Sequence, residues 1–221
     1  MTVQKIPRRL IRTIAVIVVI LSIIGIAVVI RRSLTLAGVI KPFVHPKYGA
    51  FDNGFQGNKV LTFAHIIPGA LFMILAPLQF VPGIRSRHLW FHRLSGRILV
   101  VLGLIIGIAA LIMSFKTNIG GPTETAATVL FAIIFLFSLI KGFYHIRRHE
   151  IALHREWMIR MFAVGFAVAT VRPIVGMFFA FSRLSPHQFF GIAFWIGFTI
   201  HLIVAEVWIN YTRKRNVPII P

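Results

Sequence analysis

The sequence predicts an all-α, polytopic integral membrane bundle, on three observations. Of 221 residues, 57% are hydrophobic and 13% charged, and the mean hydropathy is +0.86. Disordered chains and ordinary soluble domains are both far more polar. The apolar residues fall into six runs, each near the roughly 20 residues that cross a bilayer as a helix. The connectors between most runs are short, so successive helices are expected to be antiparallel neighbours. Nothing marks a second domain, and residues 1–221 are read as one transmembrane domain.

The first run, about 10–30, follows Lys5, Arg8, Arg9 and Arg12. It is too long for a signal-peptide core, and Arg31 and Arg32 stand where a cleavage site would need small residues. It is therefore read as a retained helix. The stretch 31–58 is polar, holds Pro42, Pro46, Gly49 and the turn string Phe51-Asp52-Asn53-Gly54, and is expected to be an outer loop. The remaining helices are expected at about 59–81, 94–115, 125–146, 157–181 and 187–210. In the third, Gly103 and Gly107 are four apart, as are Gly165 and Ala169 in the fifth. Such spacing lets helix backbones approach closely, within the bundle or in a homo-oligomer.

Charge sets the orientation. The chain has 24 Lys and Arg against 5 Asp and Glu. The basic residues cluster between apolar runs, which points to an anionic inner leaflet and excludes nucleic acid as the partner. With the N-terminus inside, the inner set is Lys5, Arg8, Arg9, Arg12, Arg85, Arg87, Arg93, Arg97, Lys141, Arg147, Arg148, Arg155, Arg160, Arg213, Lys214 and Arg215. The outer set is Arg31, Arg32, Lys41, Lys47, Lys59, Lys116 and Arg183. Sixteen against seven predicts a plasma (inner) membrane protein with both termini cytoplasmic. Trp90, Tyr144, Trp157, Trp208 and Tyr211 all fall at the expected inner boundary, where amphipathic rings settle. The absence of Cys removes disulfides, thiolate chemistry and iron–sulfur clusters.

Two groups of residues could carry chemistry. The inner connectors read Arg87-His88-x3-His92-Arg93-x3-Arg97 and Arg148-His149-x4-His154-Arg155-x4-Arg160, which suggests a parallel hairpin repeat. His92 and His154 are then candidate axial ligands of a b-type haem, with Arg97 and Arg160 near its propionates. The other reading makes them interfacial residues bonded to lipid headgroups and loop carbonyls. No His-Glu-x-x-His or comparable string indicates a protein-bound metal. The second group lies deeper: His65, Arg172 beside Pro173, His201 and Glu206. An Arg near the bilayer centre costs about 2.5–3.5 kcal/mol on insertion scales, so Arg172 should face the bundle. Glu206 lies nearer Arg97 and Arg160, so Arg172 is expected to lack a carboxylate partner. His65 lies at comparable depth and is expected to share one outward-facing polar cavity with Arg172. His201 is a further candidate ligand-binding residue.

Several strings resemble a known family. His65-x2-Pro68-Gly69-Ala70-Leu71, Ala76-Pro77-Leu78-Gln79-Phe80, His92-Arg93-Leu94-Ser95-Gly96-Arg97, His154-Arg155-Glu156-Trp157-Met158-Ile159-Arg160 and Thr170-Val171-Arg172 resemble the bacterial predicted-membrane-protein family called domain-of-unknown-function family 2306, over roughly 59–210. The helical hairpins also look distantly like cytochrome b561 and ferric-reductase proteins. That likeness implies haem and transmembrane electron transfer. Two functional expectations follow: a haem- or quinone-linked membrane redox protein, or a non-catalytic carrier of a small anionic ligand or lipid held by the buried Arg. Reporter fusions at Met1, Asn53 and Pro221 should read inside, outside and inside; an outside C-terminus breaks the six-helix count.

Overall fold

The computed structural model describes residues 7–42, 55–117 and 119–213. The turn string 51–54, Lys5, Lys47, Lys214, Arg215 and the three fusion positions lie outside the described residues. In chain order the principal helices are α1 (Arg8–Leu36), α2 (Lys59–Leu78), the short α3 (Pro82–Arg87), α4 (Leu89–Lys116), α5 (Gly121–Arg147), α6 (Ile151–Phe181) and α7 (Pro186–Arg213). All but α3 are long and apolar enough to cross a membrane. The end carrying Arg8 and Arg213 is called proximal, and the end carrying Gly120 and Ser182 distal.

Most helices outrun their apolar stretches, because polar residues continue the helix through headgroup depth. Thus α1 runs on to Leu36, taking Arg31 and Arg32 with it, and α4 begins at Leu89. Helix α2 stops early, at Leu78. Pro82 lies ahead, and the residue before a proline is pushed out of helical geometry: Val81 is extended at φ −74°, ψ 116°. Pro82 then opens α3, which apolar periodicity did not predict. The two proximal connectors therefore differ in build. The first contains α3; the second is a tight turn through His149, whose φ is +59°.

The most extensive packing joins α6 to α7, α5 to α6, and α2 to α4; α1 touches only α2 and α6 closely. Phe72, Leu99, Phe131, Phe135, Phe166 and Val171 belong to the central core. The small-residue pairs serve this packing. A Cβ on Gly103 would lie 2.9 Å from Leu139, and one on Gly107 2.5 Å from Leu136, both on α5. A Cβ on Gly165 would meet Phe72 of α2 at 2.7 Å.

Prolines inside α2 and α6 leave carbonyls without helical donors. Pro77 frees the carbonyl of Met73, and Ser22 of α1 takes it at 3.2 Å. That bond ties the peripheral α1 to the bundle. At the proximal end, α6 and α7 are clamped by two bidentate pairs. Arg160 donates to both Glu206 oxygens at 2.5 and 2.9 Å, and Arg213 donates to Glu156 at 2.7 and 2.5 Å. Arg155 also donates to Thr212 at 2.8 Å.

Replacing Gly107 with Val drives a side chain into Leu136. The cost expected of overpacking is about 1–3 kcal/mol, read as a lowered thermal midpoint in detergent. Gly176, where a Cβ meets nothing within 4 Å, should accept Ala with little change.

Candidate functional site

A cavity of about 210 Å³ opens in the distal half, with walls from α1, α2, α4, α5, α6 and α7. Phe72, Phe131, Phe135, Phe190, Phe194 and Phe198 line it beside aliphatic residues such as Val28, Ile106 and Val168. The expectation of a polar cavity is corrected in this respect. The site is an apolar chamber with a few polar groups, and it has room because small residues face it. Gly25 and Gly69 both line it, and a Cβ on Gly69 would meet nothing within 4 Å.

His65 and Arg172 line this one chamber, as their common depth implied. His65 stands nearly two turns into α2, and its Nδ1 lies 3.1 Å from the carbonyl oxygen of Ile106 on α4. A carbonyl only accepts, so Nδ1 carries the hydrogen and Nε2 keeps its lone pair. Arg172 stands on α6 immediately before Pro173. Among the described residues its guanidinium makes no hydrogen bond or ion pair within contact distance.

Two charged groups were missed from sequence. Glu124, 8% exposed, also lines the cavity, and its charge reaches Arg172. Arg172 still has no carboxylate at ion-pair distance among the described residues, as expected, although the Glu124 charge acts on it. Glu124 Oε2 accepts the backbone N–H groups of both Ile119 and Gly120, at 2.6 Å each. Gly121 begins this helix at φ +64°, and a Cβ there would lie 2.7 Å from His187 Nε2. A Gly-Gly-Pro string followed by an acid in the first turn was the available signal, since carboxylates favour helix N-termini. Arg32 is the other addition; it lines the cavity from α1 and stacks over the Phe55 ring at 4.3 Å.

His201 does not join the chamber. Its Nε2 lies 2.7 Å from Thr170 Oγ1 on α6. Its expected ligand role is replaced by a structural one, tying α7 to α6.

The proximal histidines form a separate band. His92 and His154 are each the fourth residue of their helix, α4 and α6, and lie near enough to interact electrostatically. His154 Nδ1 donates to the Gly142 carbonyl at 2.8 Å, while His92 Nδ1 is buried without a partner among the described residues. The cations expected beside haem propionates do not fit: Arg160 is neutralised by Glu206 and packs over Trp157 at 4.6 Å, and Arg97 points outward, exposed. Glu206 thus pairs with Arg160 and not with Arg97. The Phe-lined chamber lies at the opposite end of the bundle. The residues present do not fit a haem in this band.

The family model described as predicted membrane protein (DUF2306) matches residues 62–209. The chain belongs to the DUF2306 family. The match covers α4–α7 and nearly all of α2, and it leaves out α1. No curated protein and no solved structure matches the chain.

At the proximal turn, His145 Nδ1 lies 2.5 Å from Glu150, and Arg148 bonds the hydroxyl of Tyr144. The His145 hydrogen bond, with help from the charges of Arg148 and Lys141, holds the Glu150 carboxyl below its ordinary range. A depressed acid stabilises the fold above its unfolded pKa, and that contribution disappears as pH falls through the folded value. A carbon-detected NMR titration should place the Glu150 midpoint below the usual value of about 4.3. In His145→Ala the midpoint should move up.

Proposed function

We propose that this DUF2306 protein is a ligand-binding protein of the plasma membrane, with cytoplasmic termini, that takes an amphiphile into the distal chamber and recognises its anionic or carbonyl-bearing head with Arg172. One observation carries the reading: a guanidinium without a hydrogen bond lines a chamber that is otherwise mostly apolar. Inserting that charge costs about 2.5–3.5 kcal/mol, and Glu124, the nearby acid, already accepts two backbone donors. An arriving oxygen acceptor would supply what the bundle leaves unmade. The apolar walls would hold the apolar part.

Native mass spectrometry tests this. The wild-type protein should release a bound amphiphile, and Arg172→Leu should lose it. The variant should still insert, with equal or greater thermal stability, because an uncompensated buried charge has been removed. Equal retention by Arg172→Leu overturns the reading.

A second reading, haem between His92 and His154, draws support from the unpartnered His92 Nδ1. The commitment of Arg160 to Glu206 stands against it. The expected reduced-minus-oxidised spectrum is featureless; a Soret band that disappears in His92→Ala would establish the haem instead.

A further inference from the structure

We infer that His65 selects the ligand: the chamber takes amphiphiles whose head carries an O–H hydrogen beside an acceptor oxygen. This rests on the reading of the chamber as a binding site and narrows the class of head it accepts.

The argument is one of donor and acceptor inventory. Arg172 offers only N–H donors. His65 offers the reverse, because its one hydrogen is spent on the Ile106 carbonyl and Nε2 is left as a lone-pair acceptor. Both residues line one chamber, and the charge of Arg172 is felt at His65. A head with acceptor oxygens alone satisfies Arg172 and sets lone pair against lone pair at Nε2. A head with hydroxyls alone forgoes the charge-assisted bond to the guanidinium. A head with one of each completes both. Leaving a buried acceptor unmet costs about 1–3 kcal/mol, and about 1.4 kcal/mol is tenfold in affinity.

Of the other charged groups facing the chamber, Glu124 from α5 accepts Ile119 and Gly120 at one oxygen, Oε2, and Arg32 from α1 is a donor like Arg172. Ser114 of α4 and the neighbouring Thr117 give their hydroxyl hydrogens to the carbonyls of Leu111 and Met113. His65 thus brings the chamber a neutral nitrogen acceptor whose hydrogen is spent elsewhere.

Two chemistries meet the requirement: a protonated carboxylic acid and a phosphate monoester carrying one hydrogen. Each can be paired with a counterpart lacking the hydrogen. Decanoic acid is set against methyl decanoate, and decyl phosphate against decyl sulfonate. Binding to the full chain in maltoside micelles is measured by isothermal titration near pH 5.5, where the phosphate keeps its hydrogen. In at least one pair the hydroxyl-bearing member should bind tenfold or more tightly, and the pair that does so identifies the ligand source. His65→Phe should bring that ratio close to one, Arg172→Leu should weaken both members, and Gly69→Leu should weaken all probes by filling the chamber. Ratios near one in every wild-type pair, or a preference surviving in His65→Phe, overturn the selection by His65 while leaving the chamber a binding site. No binding by any probe, or binding unchanged in Arg172→Leu, overturns the binding site as well. The wild-type comparison needs no variant to fold.

Discussion

The interior of a bilayer supplies no hydrogen-bond donor or acceptor, so each polar group carried into it must be met by the protein itself. Helices meet the demand for most of the backbone, and the exceptions shape this bundle. Pro77 breaks the ladder of α2, and the carbonyl it releases is taken by Ser22, which draws α1 against the core. His201 would be costly alone in α7; bonded to Thr170 it becomes a cross-tie. The same demand governs the acids. Glu156 and Glu206 are each gripped by an arginine with both oxygens, and Glu124 is gripped by two backbone N–H groups. Arg172 is where this accounting is left incomplete, and it is left so beside a chamber.

The two ends of the molecule differ in physical character. The proximal end is closed by bidentate arginine–carboxylate pairs and by aromatic rings: Trp90, Tyr144, Trp157, Trp208 and Tyr211 all stand there. Such pairs fix helix orientation as well as contact, because the guanidinium fork admits few geometries. The distal half is built from phenylalanine and glycine, which pack without directional bonds and leave space. A rigid base and a looser, apolar upper half make a frame in which one side can hold a guest while the other keeps the helices in register.

Helix number and order were legible in the sequence because hydrocarbon thickness sets a length that apolar runs report directly. Helix ends were less legible: hydropathy sees only the hydrocarbon slab, so the extension of α1 through Arg31 and Arg32 and the interruption at Pro82 escaped it. Of the site, the meeting of His65 and Arg172 followed from depth counting along two helices. Glu124 did not, because it sits at a helix start that looked like loop. His201 was open to either a ligand or a core reading. Whether a buried imidazole is spent or available depends on which groups the neighbouring helix presents, and a single-chain periodicity carries no information about that. The nearness of Glu206 to Arg160 followed from depth, but their pairing did not, since they lie 46 residues apart.

The first helix gives the chamber an unusual boundary. Gly25, Val28, Val29 and Arg32 form one of its walls, yet the residues shared with the family begin at 62. Most of α1 faces outward, and its bond from Ser22 to Met73 is of a kind worth about 0.6 kcal/mol in a membrane. Val18, Leu21 and Ile26 hold the rest of that helix against the core by apolar contact. Were an oily guest to use the chamber, its path past α1 would lie sideways, in the plane of the membrane.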